Sequence, residues 1–348
     1  MTDQKTFRYG IIAAAVVIIL IIGFVFLGAP NAKTTTPAAA PVAELTAPSA
    51  TTVTTTAVNV APADTESGSI TISGAFALYP LTVVWADQYE ALHPNVKIQV
   101  SAGGAGKGIT DALGGLSDIG MSSRALTSAE TQKGAYAIPV TTDAVVPVIN
   151  ANNPVSVILL TQGINQSTWE KIYINKTIVT WGQVVGNPSI TAKIDRYTRS
   201  DSSGAADVWA QYAGGKAQSD LQGIGVYGDP GILSAVQNDP NAVGYNNLNY
   251  AYDANTSLPA NGILVPPFLL SNGTVLDLST KDKTLTAIKT KTFPYPPARV
   301  DSFVTNGKPS GVVDDFIRWT LTDGQQYVSP NGYVPLPANT LANSIAEL

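Results

Sequence analysis

The sequence predicts an α/β protein of two lobes that face one ligand. Three observations lead there. From Ser69 onward, strands, turns and helices alternate in the pattern of parallel strands joined by crossover helices. Two Ser/Gly-rich turns, at residues 102–108 and 199–205, each run from a strand into a helix, one in each half of the chain. The length of 348 residues suffices for about two domains.

Taken in order, the globular pattern begins at Gly68. Ser69-Ile-Thr-Ile-Ser73 alternates as a short strand. Residues 74–80 form a turn. Residues 81–92 form a helix, because Val84, Trp85, Tyr89 and Leu92 share one face. Residues 96–100 alternate again as a strand. The stretch 101–124 reads as a glycine turn, a short amphipathic helix and a strand ending in Asp118 and Ser122-Ser123-Arg124. A glycine turn that opens a helix leaves backbone N–H groups free at the positive end of the helix dipole, which makes an anion site out of backbone alone.

A second unit begins near Asp143. Residues 144–149 read as a buried strand, and helical segments surround Trp169 and Trp181. A strand from Ile194 enters the second Ser/Gly turn, and the helix it opens places Ala205, Val208, Trp209 and Tyr212 on one face. Residues 300–304 are a strand, 312–321 a helix and 332–337 an extended end segment. The site is expected at the carboxyl ends of the strands, where the lobes meet.

Composition removes most chemistry. Among 348 residues there is no cysteine and one histidine, 13% are charged, and the net charge is −5. Disulfides, thiolate metal sites, cysteine nucleophiles and a lipid-modified cysteine are excluded. His93, beside Pro94, is wrongly set for a catalytic triad and reads as a solvated helix end. No Gly-x-Ser-x-Gly elbow or two-metal ligand cluster supports an extracellular phosphatase. No cofactor and no metal is implied, and no Lys/Arg cluster suggests nucleic acid. Lys107 is followed by Gly108 rather than Ser or Thr, and Ser101 stands where the first glycine of a nucleotide P-loop belongs, so Lys107 reads as a solvated lysine. Arg124 has two readings, a cleft residue or a lobe-packing ion pair.

The N-terminus carries a membrane signal. Residues 1–9 include Lys5 and Arg8, and residues 10–27 are an unbroken apolar or small run, close to the length that crosses a bilayer. The charge bias places residues 1–9 in the cytoplasm and the rest outside. An uncleaved anchor over 10–28 competes with a cleaved signal peptide and with pilin-like cleavage after Gly10. The run is long for a signal peptide and Gly28-Ala29-Pro30 is a poor cleavage site, which favours the anchor. Residues 29–67, rich in Thr, Ala and Pro, cannot bury a core and read as a stalk. Sequons at Asn165, Asn175, Asn255 and Asn272 fit a glycosylated surface protein, in the style of an archaeal cell surface.

Four motifs in order carry a resemblance. They are Ser73-Gly-Ala-Phe-Ala-Leu-Tyr-Pro80, Ala102-Gly-Gly-Ala-Gly-Lys-Gly108, Asp118-Ile-Gly-Met-Ser-Ser123 and Arg199-Ser-Asp-Ser-Ser-Gly-Ala205. From Ser69 to the C-terminal segment the chain resembles the phosphate-binding (Pst-type) receptors of ABC importers, which have type 2 periplasmic-binding-protein-like folds. The resemblance implies a receptor, not an enzyme, with lobe 1 at 68–142 plus 298–348, lobe 2 at 143–297, and a hinge near 140–147 and 297–304. The ligand would be phosphate or a similar oxyanion such as sulfate, molybdate or tungstate, and the partner a membrane permease. A surface or sensory protein that kept the fold is the structural alternative.

By the same resemblance, Leu78, Tyr79, Gly104, Ala105 and Gly106 would donate backbone N–H groups. Asp118 would accept from a protonated ligand oxygen, Arg199 would clamp two oxygens, and Ser203, Gly204 and Ala205 would close a helix start over the anion. The family usually has hydroxyls where Leu78, Gly104 and Ala205 stand. Ser122, Ser123, Ser200, Ser202 and Thr142 are the nearby hydroxyls available to replace them.

Overall fold

The computed structural model describes residues 66–348, so the predicted span and all but the last two residues of the predicted stalk lie outside the described residues. Among the described residues no helix is long and apolar enough to cross a membrane. The strands, in chain order, are β1 Gly68–Gly74, β2 Val96–Ala102, β3 Ile119–Ser122, β4 Ala135–Asn150, β5 Ile164–Asn165 and β6 Asp195–Arg199. They continue with β7 Ile224–Val226, β8 Ala242–Asn247, β9 Ile263–Leu264, β10 Phe268–Leu269, β11 Val275–Leu276 and β12 Ala298–Asn306.

The main sheet runs β2-β1-β3-β12-β4-β8-β6-β7, with β9 beside β4, and a small sheet runs β11-β10-β5. β1 is parallel to β2 and β3, and β6 is parallel to β7 and β8. These are the two parallel units that the alternating pattern predicts. β4 belongs to both halves: residues 135–144 pair with β12, and residues 145–149 pair with β8. The changeover in pairing falls between Ala144 and Val145, where β4 leaves β12 and joins β8.

Each lobe has its own apolar core. In the first, Trp85, Tyr89, Phe303 and Phe316 are buried between the sheet and the helices Tyr79–Leu92 and Val312–Leu321. In the second, Trp209 stacks on Tyr245 at 5.5 Å and meets Trp169 edge-on at 5.2 Å. Truncating one such aromatic to alanine costs about 3–5 kcal/mol. Trp169 and Trp181 sit in this core on short helices, where the sequence reading placed helical segments.

Two helices of ten residues or more have no counterpart in the sequence reading, Gly228–Asn238 and Ala338–Glu347, and neither have shorter ones such as Lys281–Lys289. The second follows the expected extended segment, whose Val334 bridges to Thr142 of β4. The first lobe thus receives chain from both ends of the globular region.

Candidate functional site

Two helix starts face each other where β2 and β6 end. The helix Ala105–Leu113 begins with Gly104 as its cap, and the helix Gly204–Tyr212 begins with Ser203 as its cap. Ser203 Oγ accepts from the Ala206 amide at 3.2 Å. The amides of Ala105, Gly204 and Ala205 lie in first turns, where no intrahelical carbonyl is available to them. The two starts touch across the lobes: the Gly106 amide donates to Ser202 O at 3.0 Å.

Glycine at two positions permits this approach. Gly104 has φ +94°, and a Cβ there would lie 2.6 Å from Asp201 Oδ2 and 2.7 Å from Ser202 O. A Cβ on Gly204 would lie 2.4 Å from Ser123 Oγ and 2.8 Å from Ser123 backbone. The missing hydroxyl at Gly104 therefore has a steric reason, because the opposite lobe occupies its space. Leu78 has a different reason. Its side chain is fully buried in the first core.

Arg199 ends β6 and is 5% exposed. Its Nε and Nη2 donate to the two oxygens of Asp201 at 2.8 and 2.6 Å, and its Nη1 donates to Asp229 Oδ2 at 2.6 Å. A guanidinium has five N–H donors, so one on each terminal nitrogen remains. Burial works against the charge, but Asp229 and Asp201 more than offset it and raise the pKa. Phe76, from the turn after β1, lies with its ring 5.1 Å from the guanidinium carbon, a cation–π contact between lobes. Tyr227 and Tyr250 meet the Phe76 ring edge-on. With its face covered by Phe76, the guanidinium offers an edge to a ligand. Gln218 braces the turn: it accepts from the Ser203 amide at 2.8 Å and donates to the carbonyls of Arg199 and Asp201.

The other expected residues divide. The Leu78 and Tyr79 amides both donate to Ala75 O, at 3.2 and 3.1 Å, within their own turn. The Gly104 amide donates to Gly74 O at 2.9 Å. Ser122 Oγ donates to Arg124 O at 2.9 Å, so it turns into its own loop. Ser123, one residue on and therefore on the opposite face, is the hydroxyl that lies against Gly204. Ser202 packs against Gly106 of the opposite lobe, Ser200 is exposed, and Thr142 is paired with Val334 away from these helix starts.

Asp118 requires a correction. It precedes β3, opposite Thr71 in the middle of β1, and its carboxylate accepts from the Thr71 amide and hydroxyl, both at 2.7 Å. β3 runs parallel to β1, so the converging helix starts lie beyond its other end. From Asp118 to Ser123 is about 16 Å of extended strand at 3.3 Å per residue. The motif reads as one contiguous strand end in sequence, but the strand carries its first residue away from the cleft.

Two basic residues resolve as ion pairs. Lys107 pairs with Asp111 and is half exposed. Arg124 makes a two-pronged bond to Glu130 at 2.7 and 2.9 Å, and its Nε lies 3.3 Å from Asp207 in the second lobe. It is the ion-paired residue of the two readings, bonded in its own lobe and reaching the second.

Three comparisons align with this geometry. A family model described as PBP superfamily domain matches residues 59–324. A relative from Bacillus subtilis, the phosphate-binding protein PstS, is 28% identical over 275 residues, 78% of this chain and 81% of that one. A protein of the same name from Methanocaldococcus jannaschii is 27% identical, covering 80% of this chain and 86% of its own. Among solved structures, an inferred phosphate ABC transporter substrate-binding protein from Clostridium perfringens, with phosphate bound, superposes with a TM-score of 0.61. It is 25% identical and covers 78% of this chain and all of its own.

Proposed function

Because this chain belongs to the PBP superfamily, we propose that it is an extracytoplasmic receptor that binds inorganic phosphate between its lobes and presents it to an ABC permease. The observation that carries the reading is the meeting of the Ala105 and Gly204 helix starts beside Arg199. Free first-turn amides, two helix dipoles and the remaining guanidinium N–H groups converge where the lobes meet, a donor set suited to a small tetrahedral anion. The names and the bound phosphate of the similar proteins support the same ligand. Ala105, Gly204 and Ala205 would donate through backbone, Arg199 through its free edge, and Ser203 and Ser123 through hydroxyls. Micromolar binding needs about −8 kcal/mol. Charge-assisted hydrogen bonds contribute about 1.5–3 kcal/mol each, so five or six supply this with a margin for lobe closure. In this reading residues 10–28 anchor the chain and 29–67 tether it beside its permease.

A second reading, another oxyanion receptor, is favoured by one observation. Both carboxylates beside the helix starts, Asp201 and Asp229, are engaged by Arg199, and Asp118 is elsewhere. A carboxylate that accepts a ligand proton is what would reject sulfate. Calorimetric titration with phosphate, sulfate and molybdate separates the readings. Phosphate should bind at micromolar Kd or tighter, Arg199→Ala should abolish binding, and Asp118→Asn should leave the phosphate-to-sulfate ratio within about twofold. No heat from any of the three anions defeats the receptor reading.

A further inference from the structure

Behind Arg199 runs a line of buried polar side chains that ends between the crossover strands. Asp229, fully buried, accepts from Arg199 with Oδ2 and from Asn247 with Oδ1: the Asn247 amide is at 3.0 Å and its Nδ2 at 2.7 Å. On its other side Asn247 Oδ1 accepts from Arg299 Nη2. Arg299, 4% exposed, lies opposite Asp143 in the β12–β4 register, with Nη2 3.4 Å from Asp143 Oδ2 and Nε 3.4 Å from Asp301 Oδ1. Asn247 itself is 1% exposed and pairs with Val145, the first residue of β4 on the second-lobe side.

We propose that Asn247 is a positioning residue that ties the Arg199 anion clamp to the hinge strands through Asp229 on one side and Arg299 on the other. Only a side-chain amide suits this place. Its NH2 must face a carboxylate and its oxygen a guanidinium, so the two faces have opposite requirements and the flipped amide satisfies neither. Aspartate would set a second carboxylate against Asp229, and leucine would orphan a buried donor and a buried acceptor.

The chain of contacts is tight at the clamp and loose at the hinge. The clamp bonds are 2.6–3.0 Å, whereas both hinge contacts are 3.4 Å. Asp143 Oδ1, both Asp301 oxygens and Arg299 Nη1 are buried without a hydrogen-bond partner. Arg299 is thus held firmly by the second lobe and weakly by the two hinge carboxylates. When the lobes move, the weak end yields, and Arg299 redistributes its contacts between Asp143 and Asp301. Anion binding at Arg199 then favours one arrangement of the hinge, and the hinge arrangement in turn sets how well Arg199 is presented. This coupling is reciprocal by necessity.

The inference rests on the anion-receptor reading, and its test separates the two. Phosphate is titrated calorimetrically into the wild-type chain, Asn247→Leu, Asn247→Ser and Arg299→Lys, with ligand-free melting temperatures measured alongside. Dyes on Lys133→Cys and Lys171→Cys, one in each lobe, report closure, and the absence of native cysteine confines labels to those sites. The wild type should bind and close. Asn247→Leu and Asn247→Ser should each weaken phosphate at least tenfold and reduce the closure signal. Arg299→Lys, two side chains removed from the clamp, should weaken it at least threefold. A merely structural role would lower melting temperature and leave Kd and closure intact, and that outcome, in Arg299→Lys or in either Asn247 variant that folds, overturns the inference. A wild type that binds no phosphate would instead defeat the receptor reading and this inference with it.

Discussion

At the scale of single residues, the site is shaped by what is missing. Gly204 and Ser123 belong to opposite lobes, so a methyl on Gly204 clashes where the lobes meet. Gly204→Ala should therefore weaken phosphate binding by about tenfold or more, equivalent to about 1.4 kcal/mol, while the ligand-free melting temperature stays within about two degrees. Calorimetry and thermal denaturation of the same sample check both halves. An equal loss of stability and affinity would mean the contact is part of the resting fold. Arg199 and the turn around it were legible in the sequence, because Arg-Ser-Asp-Ser-Ser-Gly is local and its parts act together. Asp229, Asn247 and Gln218 were not, because they reach Arg199 through space from other elements. Asp118 misled for the opposite reason. It is close in sequence to Ser123, yet a strand separates neighbours in a motif by its full length.

At the scale of elements, β4 and β12 govern the mechanics. They pair antiparallel through the changeover, and Asp143, Arg299 and Asp301 cluster there. Burial drives the Asp143 pKa up to about 6, although Arg299 and Lys281 pull it down and Asp229 adds to the rise. Asp301 is also raised, first by burial and then by Asp143, against the pull of Arg299. A carboxyl whose pKa rises on folding stabilises the fold below its unfolded value, near 4, and that contribution is lost as pH climbs through the folded value. Urea denaturation from pH 4 to 7 should show stability falling through about pH 6, and Asp143→Asn should flatten that fall. A profile that rises over the same window and is unchanged by Asp143→Asn would contradict the assignment. The periodic elements of the first lobe and the helix Val312–Leu321 were readable from spacing alone. The full length of β4 was not, because Pro139 and Pro147 break its pattern, and the helix Gly228–Asn238 opens on Gly-Asp-Pro-Gly, which reads as a turn.

At the scale of the whole molecule, two cores are joined by a divided strand and held face to face by polar and aromatic contacts. Among the described residues they include the Gly106–Ser202 backbone bond, the Phe76 ring over Arg199 with Tyr227 and Tyr250 beside it, and Arg124 between Glu130 and Asp207. Glu130 is held down to about pKa 2, first by its bond to Arg124. Glu130 therefore stays charged across the physiological range, and Arg124, whose own pKa is raised, faces both Glu130 and Asp207. A partly exposed pair of this kind contributes about 1 kcal/mol at most, enough to bias closure without locking it. The parts fit a clamp that an anion completes, and two half-sites with surplus N–H donors and a shared guanidinium have little other use. The most direct measurement is a crystal structure of the chain grown with phosphate. The account predicts a tetrahedral anion bonded to the amides of Ala105, Gly204 and Ala205 and to the free edge of Arg199, with Asp118 still on Thr71. Phosphate elsewhere in the molecule, or lobes in contact with no anion between them, would contradict it.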